Sequence, residues 1–350
     1  MIAFLGTYSE RGSRGIYGVR FDPVAGAFGE PVVAAEASNP TFLALAPGGL
    51  RLLAVQATPE TAAAFAIDPD SLILHPLEPL EPVSGPTPCH IALDATGGTI
   101  VTTNYHTGIV AAAPLRPDGS IGPPRVVRHQ GSGPDPERQK CAHPHSSHIA
   151  PDNRFALVCD LGLDRIFTYA LDVTDSVLRP ARPPYVNVRP GSGPRHFAFA
   201  TGGRQAYGIN ELDSTIDLFD YDAESGALTR RDWYSTLPAG TAPGPGAAEI
   251  AVHPSGRFVY ASNRGNDTLA VYSVDPQDRT LTAVEIVSCG GKHPRHFALT
   301  PDGSWLLCAH RESDSLAAFR IDSATGRLTQ GAVVAGIPAP ICVALLPGAD

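Results

Sequence analysis

His145, Arg195, His196, Glu211, Glu249, Arg264, Arg295, His296 and Arg311 are the side chains of this sequence best suited to chemistry on a small anion. Guanidinium forks grip carboxylate or phosphate at two points. An imidazole beside a carboxylate exchanges protons near neutral pH. Two of the pairs, Arg195-His196 and Arg295-His296, lie far apart in the chain, yet each follows a proline and precedes a phenylalanine. Such an echo asks for a repeating scaffold that brings distant segments to one place.

That scaffold is legible as a repeat. In Pro294-Arg-His-Phe-Ala-Leu-Thr-Pro-Asp-Gly303 and the following Ser304-Trp-Leu-Leu-Cys-Ala-His-Arg311, a proline opens an apolar run. A Pro-Asp-Gly turn follows, and a second apolar run ends in polar residues. This is a hairpin signature. The anchor recurs at Pro40, Pro88, Pro144, Pro194, Ala247, Pro294 and Pro340, at intervals of 46 to 56 residues. A third strand such as Thr268–Val274 and a fourth beginning at Leu328 complete an antiparallel, four-stranded unit. The last unit holds only an inner strand, and the N-terminus begins with a second-strand equivalent, Ile2-Ala-Phe-Leu-Gly-Thr7. Together they make one blade and remove the sheet edge. The expected fold is all-β: a seven-bladed β-propeller, residues 1–350 as a single domain, its ring closed by the C-terminal strand joining the N-terminal blade.

In a propeller the start of each first strand and the end of each second strand meet at the central mouth. Around the ring, from the closing blade, the residue after the anchor reads Ile341, Thr41, Cys89, His145, Arg195, Ala248, Arg295, and the next reads Cys342, Phe42, His90, Ser146, His196, Glu249, His296. At the second-strand ends stand Thr7, Gln56, Asn104, Asp160, Asn210, Asn263, His310, followed by Tyr8, Ala57, Tyr105, Leu161, Glu211, Arg264, Arg311. A residue type shared by most blades serves the blade, so the Asn/Asp-rich column reads as strand-end ties. The variable columns read as the site. Blades three to seven put His145, Arg195, Glu211, Glu249, Arg264, Arg295, His296, His310 and Arg311 at the mouth, while blades one and two offer apolar or small groups. The competing reading of the Arg–Glu neighbours is ion pairing between blades. Two long connections, 129–143 and 237–246, enter on this face and are expected to form its rim.

Composition narrows the partners. With 26 Lys+Arg against 35 Asp+Glu the net charge is −9, and no basic block is present, which disfavours nucleic acid. No stretch approaches a membrane span and the N-terminus lacks a signal-peptide pattern, so a cytoplasmic location is expected, with the six cysteines reduced. There is no Gly-x-Ser-x-Gly elbow and no P-loop. His143-Pro-His-Ser-Ser-His148 resembles a metal cluster, but strand alternation turns His145 and His148 to opposite faces and supplies no third ligand. No metal and no cofactor are expected. Which of His143, His145 and His148 faces the site stays open.

The segments His143-Pro-His-Ser-Ser-His-Ile-Ala-Pro-Asp-Asn-Arg154, Gly193-Pro-Arg-His-Phe197, Asn210-Glu-Leu-Asp-Ser214, Ala248-Glu-Ile250 and Ser262-Asn-Arg264 resemble the propeller-type lactonases. That family contains the cycloisomerase-type 6-phosphogluconolactonases and the 3-carboxy-cis,cis-muconate lactonizing enzymes. The resemblance implies a catalytic set of His145, Arg195, Glu211 and Arg264, in which the arginines hold anionic groups while His and Glu manage protons. Glu211 or His145 would be the base toward water. Substrate contacts are expected from Arg295, His296, Glu249, His196 and Arg311. It further implies hydrolysis of a sugar lactone, foremost 6-phosphogluconolactone, with no metal required. Two alternatives are kept: an intramolecular lyase forming a lactone from a muconate, and a non-catalytic propeller that binds a protein at its mouth. The second would favour an apolar, aromatic mouth, whereas this one is rich in Arg, His and Glu.

Overall fold

The computed structural model describes residues 1–58, 60–77, 81–82, 88–242 and 244–348, of which 81 and 82 are described by backbone alone. All seven expected anchors open a strand: Pro40–Leu45, Pro88–Leu93, Pro144–Ile149, Pro194–Phe199, Ala247–Val252, Pro294–Leu299 and Pro340–Leu346. Each pairs antiparallel with the strand after it, except that Pro340–Leu346 pairs with Ile2–Thr7, with Ile2 opposite Leu346 and Leu5 opposite Val343. Seven sheets follow one another around the axis and the last strand closes the first sheet. The fold is the seven-bladed propeller that the repeat requires.

Packing is between blades. Tyr207, Ile209 and Leu218 of blade five, for example, meet Ile250, Val259 and Tyr272 of blade six, all buried. Alternating apolar residues face the neighbouring sheets. The outer turns use Asp side chains as local acceptors: Asp22 Oδ1 takes the N–H groups of Val24 and Ala25, and Asp322 Oδ1 those of Ala324 and Thr325. The conserved-looking strand ends are ties, as expected. Asn263 Nδ2 donates to Thr236 O and Asp160 Oδ1 accepts from His143 N–H. Among the described residues no helix is long and apolar enough to cross a membrane. All six cysteines are free thiols; four are buried, whereas Cys89 is half-buried and Cys141 exposed.

One feature of the innermost hairpins decides what the axis presents. In every blade the ladder slips directly after the anchor. Pro88 faces Asn104 but His90 faces Thr103; Pro194 faces Asn210 but His196 faces Ile209; the same break occurs in the other five sheets. The residue after the anchor is a β-bulge, set outside the hydrogen-bond ladder and re-aimed.

Candidate functional site

The bulge stacks two tiers of side chains at the axis. Regular alternation would turn consecutive residues to opposite faces. Here the bulged residue points up into the mouth and its successor points in below it. From the upper tier Thr41, Cys89, His145, Arg195, Arg295 and Ile341 line a cavity of about 320 Å³, and from the lower tier Phe42, His196 and His296 line its floor. Strand alternation therefore misleads for the histidine cluster. His145 stands at the cavity and His148 deeper on the axis, their rings 5.3 and 6.0 Å from that of His196. His143 stacks flat on Tyr105 at 4.3 Å, its Nδ1–H donating to the Tyr105 carbonyl.

Glu211 is the organising charge. Its Oε1 accepts from Arg138 Nη2 at 2.5 Å, and its Oε2 lies 2.8 Å from Arg264 Nη2 and 3.2 Å from Arg195 Nε. Burial alone would raise this carboxyl, but Arg264, Arg195 and Arg138 outweigh it and hold Glu211 well below its ordinary value near 4.5. The guanidiniums are fixed from behind by carbonyls. Arg195 Nη1 donates to Ala248 O, and Arg264 donates to Gly246 O and Ala247 O. Arg295 is held differently, its guanidinium 5.6 Å above the Tyr8 ring. Four cations thus face one cavity-lining carboxylate. Burial, then the proximity of Arg264 and Arg295, push Arg195 down to about 9.

Arg138 was not singled out by the blade columns, because it comes from the 129–143 connection. That loop is pinned in place. Gln139 Nε2 donates to Leu161 O and Asp164 Oδ1, both at 2.8 Å, and His129 pairs with Asp160 at 2.6 Å beneath it. Gly162 lets the loop close, since a Cβ there would stand 2.0 Å from Cys141 O. The rim expectation holds for this loop. The 237–246 connection contributes Pro245 and Gly246 to a recess of about 230 Å³ beside the cavity, reached between Arg138, Glu211 and Arg264 and bounded by His293; its Pro243 lies outside the described residues.

Three expectations for the mouth require correction. Arg311 does not line the cavity: it pairs with Glu10 at 2.7 Å and lies 4.9 Å from the Tyr8 ring, which stands between it and the site. His310 is fully buried inside its blade, bonded to Cys289 O and Ser315 Oγ, so it belongs with the strand-end ties. Glu249 lies below the floor against His196 and His296 and does not itself line the cavity. Tyr8, Cys89 and Tyr105 do line it, from the variable columns, where their lack of charge gives no signal for anion chemistry.

Under the floor the axis is packed with imidazoles. The rings of Phe42 and His90 lie 4.1 Å apart, those of His90 and His196 5.4 Å, and those of His90 and His148 5.3 Å. Burial first, and neighbouring positive charge second, hold His90, His145 and His196 well below 6.5; burial brings His148 to about 4, and His296 is lowered as well. These depressed values make stability depend on pH. Below 6.5 the unfolded chain binds protons that the folded one refuses, so stability is full above that pH and is lost on acidification. One such group contributes about 2 kcal/mol between pH 6.5 and 5. Asp213, raised to about 6 by burial, takes up a proton in the folded state and offsets part of this. Urea midpoints measured from pH 7.5 to 5 should fall by the equivalent of at least about 4 kcal/mol; a flat profile would contradict the neutral imidazole stack.

Comparison with known proteins agrees with this architecture along the whole chain. Residues 2–345 match the family described as "Lactonase, 7-bladed beta-propeller". The 6-phosphogluconolactonase of Bacillus subtilis is 34% identical over 352 residues, covering 99% of this chain and 98% of that protein. The periplasmic gluconolactonase PpgL of Pseudomonas aeruginosa superposes with a TM-score of 0.90 at 32% identity, covering 99% of both chains. A Lactobacillus plantarum protein superposes with a TM-score of 0.91 at 31% identity, covering 98% of both.

Proposed function

The chain belongs to the seven-bladed β-propeller lactonase family, and from that premise we propose that it hydrolyses 6-phosphogluconolactone to 6-phosphogluconate in the axial cavity. The observation that carries the phosphorylated substrate is the charge of the mouth. Arg138, Arg195, Arg264 and Arg295 face it against Glu211 in a protein whose net charge is −9. An anion entering there relieves the repulsion among guanidiniums and gains charge-assisted hydrogen bonds.

In this reading Arg295 and Arg264 hold the phosphate, and Arg195 stabilises the oxyanion that forms on the lactone carbonyl. Glu211 acts as an anionic clamp on three arginines and not as a proton acceptor, since each of its oxygens already accepts from guanidinium groups. The imidazoles His145, His196 and His296 line the cavity and include the base that takes a proton from water. Tyr105, Tyr8 and Phe42 offer ring faces to the sugar carbons.

The deciding experiment is a panel of phosphorylated and unphosphorylated lactones, with a muconate assayed for lactonization, each with and without chelator. The phosphorylated lactone should show a kcat/KM at least about 100-fold above its unphosphorylated counterpart, the worth of roughly 3 kcal/mol of charge-assisted contacts. Equal turnover of the two, or turnover of the muconate alone, would overturn this reading. Arg195→Ala should lower kcat about 10²- to 10³-fold, the usual effect of removing one oxyanion donor, with far-UV circular dichroism unchanged; full activity would remove Arg195 from the mechanism.

A further inference from the structure

The lower tier contains an arrangement that the arginine cluster does not use. Blades five, six and seven place His196, Glu249 and His296 at the same position of successive inner strands, and the carboxylate sits between the two rings. Glu249 Oε2 is 2.9 Å from His196 Nδ1 and 3.2 Å from His296 Nε2. Its Oε1 accepts the N–H of Ile250 at 3.0 Å, and its own N–H donates to Ser262 Oγ at 3.1 Å, so the side chain has one orientation.

One hydrogen bond fixes the proton of one of these rings. His296 Nδ1 accepts the N–H of Val343 at 3.2 Å, so its proton is on Nε2, on the side of Glu249. His196 turns Nδ1 toward the same Glu249 oxygen at ion-pair distance, and that oxygen accepts no hydrogen bond from the described residues. The Nε2 of His196 bonds to none of the described residues, on a ring that lines the cavity floor.

The other two candidate bases are worse placed. Glu211 is occupied by three guanidiniums. His145 Nδ1 is buried with no hydrogen-bond partner among the described residues. Taking a proton on the other nitrogen of that ring would leave a buried N–H of an imidazolium without an acceptor, which is costly. At His196 the new cation forms against a carboxylate. A base oriented and then neutralised by an acid behind it is the arrangement that proton transfer favours.

We propose that His196 is the general base of lactone hydrolysis and that Glu249 is its positioning residue, an assignment that rests on the lactonase reading above. His196 Nε2 takes one proton from water as the water oxygen bonds to the lactone carbonyl carbon. The carbonyl π pair moves onto its oxygen, which the arginines face. When that pair returns, the bond from the carbonyl carbon to the ring oxygen breaks, and the departing alkoxide takes the proton from His196. The product is the hydroxy acid, which ionises to solvent; water is the only co-reactant. Burial and the nearby Arg195 keep the resting imidazole neutral.

The test combines kinetics with a measurement on the unaltered protein. His196→Gln should lower kcat about 10³-fold with KM within about 3-fold of wild type, because the arginines that bind the anion are untouched. Glu249→Gln should lower kcat about 10²-fold at constant KM, and Glu249→Asp, which restores the charge, should recover at least about tenfold of that loss. Retention of more than a tenth of wild-type kcat in His196→Gln overturns the assignment. So does equal activity of the Gln and Asp variants at position 249. Should the variants fail to fold, ¹⁵N shifts of the imidazoles in histidine-labelled wild type decide it. His196 is expected as the Nδ1–H tautomer and His296 as the Nε2–H tautomer, and the Nε2–H form of His196 overturns the proposal. Wild-type turnover in the same assays keeps the lactonase reading whatever the variants do; a wild type that opens no lactone removes that reading and this assignment with it.

Discussion

Glu211→Gln is expected to lower kcat/KM at least about 10³-fold and to destabilise the fold by about 3 kcal/mol. The substitution keeps the shape and removes the charge. Three guanidiniums within 3.2 Å of the carboxylate then face one another with no counter-ion between them. Breaking a buried ion pair by removing one partner costs about 3–5 kcal/mol. The lower end applies here, because Arg138 keeps 39% of its side-chain surface in water. Turnover suffers more than stability, since misplacing the oxyanion donor and the phosphate ligands together compounds two losses. Steady-state kinetics and urea denaturation on the same preparation check both parts. Activity within tenfold of wild type would show that the arginines hold their places without Glu211.

Ending the chain after Ala339 is expected to abolish cooperative folding. The lost strand Pro340–Leu346 is the hydrogen-bonded neighbour that closes the first sheet, through six register pairs with Ile2–Thr7. It also buries Val343 and Leu346 between blades and Ile341 at the cavity wall. At about 1.5–3 kcal/mol for each large apolar side chain, their burial alone approaches the 5–15 kcal/mol that a typical protein has in total. The edge of Ile2–Thr7 would be left open to other chains. The truncated protein should aggregate or melt without a sigmoidal transition, and a monomer with a sharp melt near the wild-type temperature would refute ring closure as the source of stability.

Much of this was legible in the residues. Seven anchors spaced by 46 to 56 residues put every inner strand where it is found, because a proline is tolerated at the first position of a strand and hydrophobic runs identify the rest. The column comparison separated the ties Asn263 and Asp160 from the cavity groups Arg195, Glu211 and Arg264. The two readings of the Arg–Glu neighbours proved to be one: the pair between Glu211 of blade five and Arg264 of blade six joins blades and lines the cavity.

What escaped has physical reasons. Arg138 lies on a connection with no counterpart in other blades, so no column comparison reaches it. Arg311 follows its strand end as Glu211 does, but its neighbour Glu10 draws it outward across Tyr8. His310 occupies a tie position where other blades use amides, and its two ring nitrogens do the same work. The phase of His145 against His148 depends on the bulge, which no alternating pattern announces.

That bulge has a consequence for how such a molecule changes its chemistry. The residue it carries takes no part in the ladder of its sheet, so its side chain is exchangeable without disturbing the hairpin beneath. Six sockets, at positions 41, 89, 145, 195, 295 and 341, therefore line the cavity like interchangeable tool bits in a fixed chuck. Reassigning a few of them should retarget the pocket from one small acid to another while the ring itself goes on folding as before.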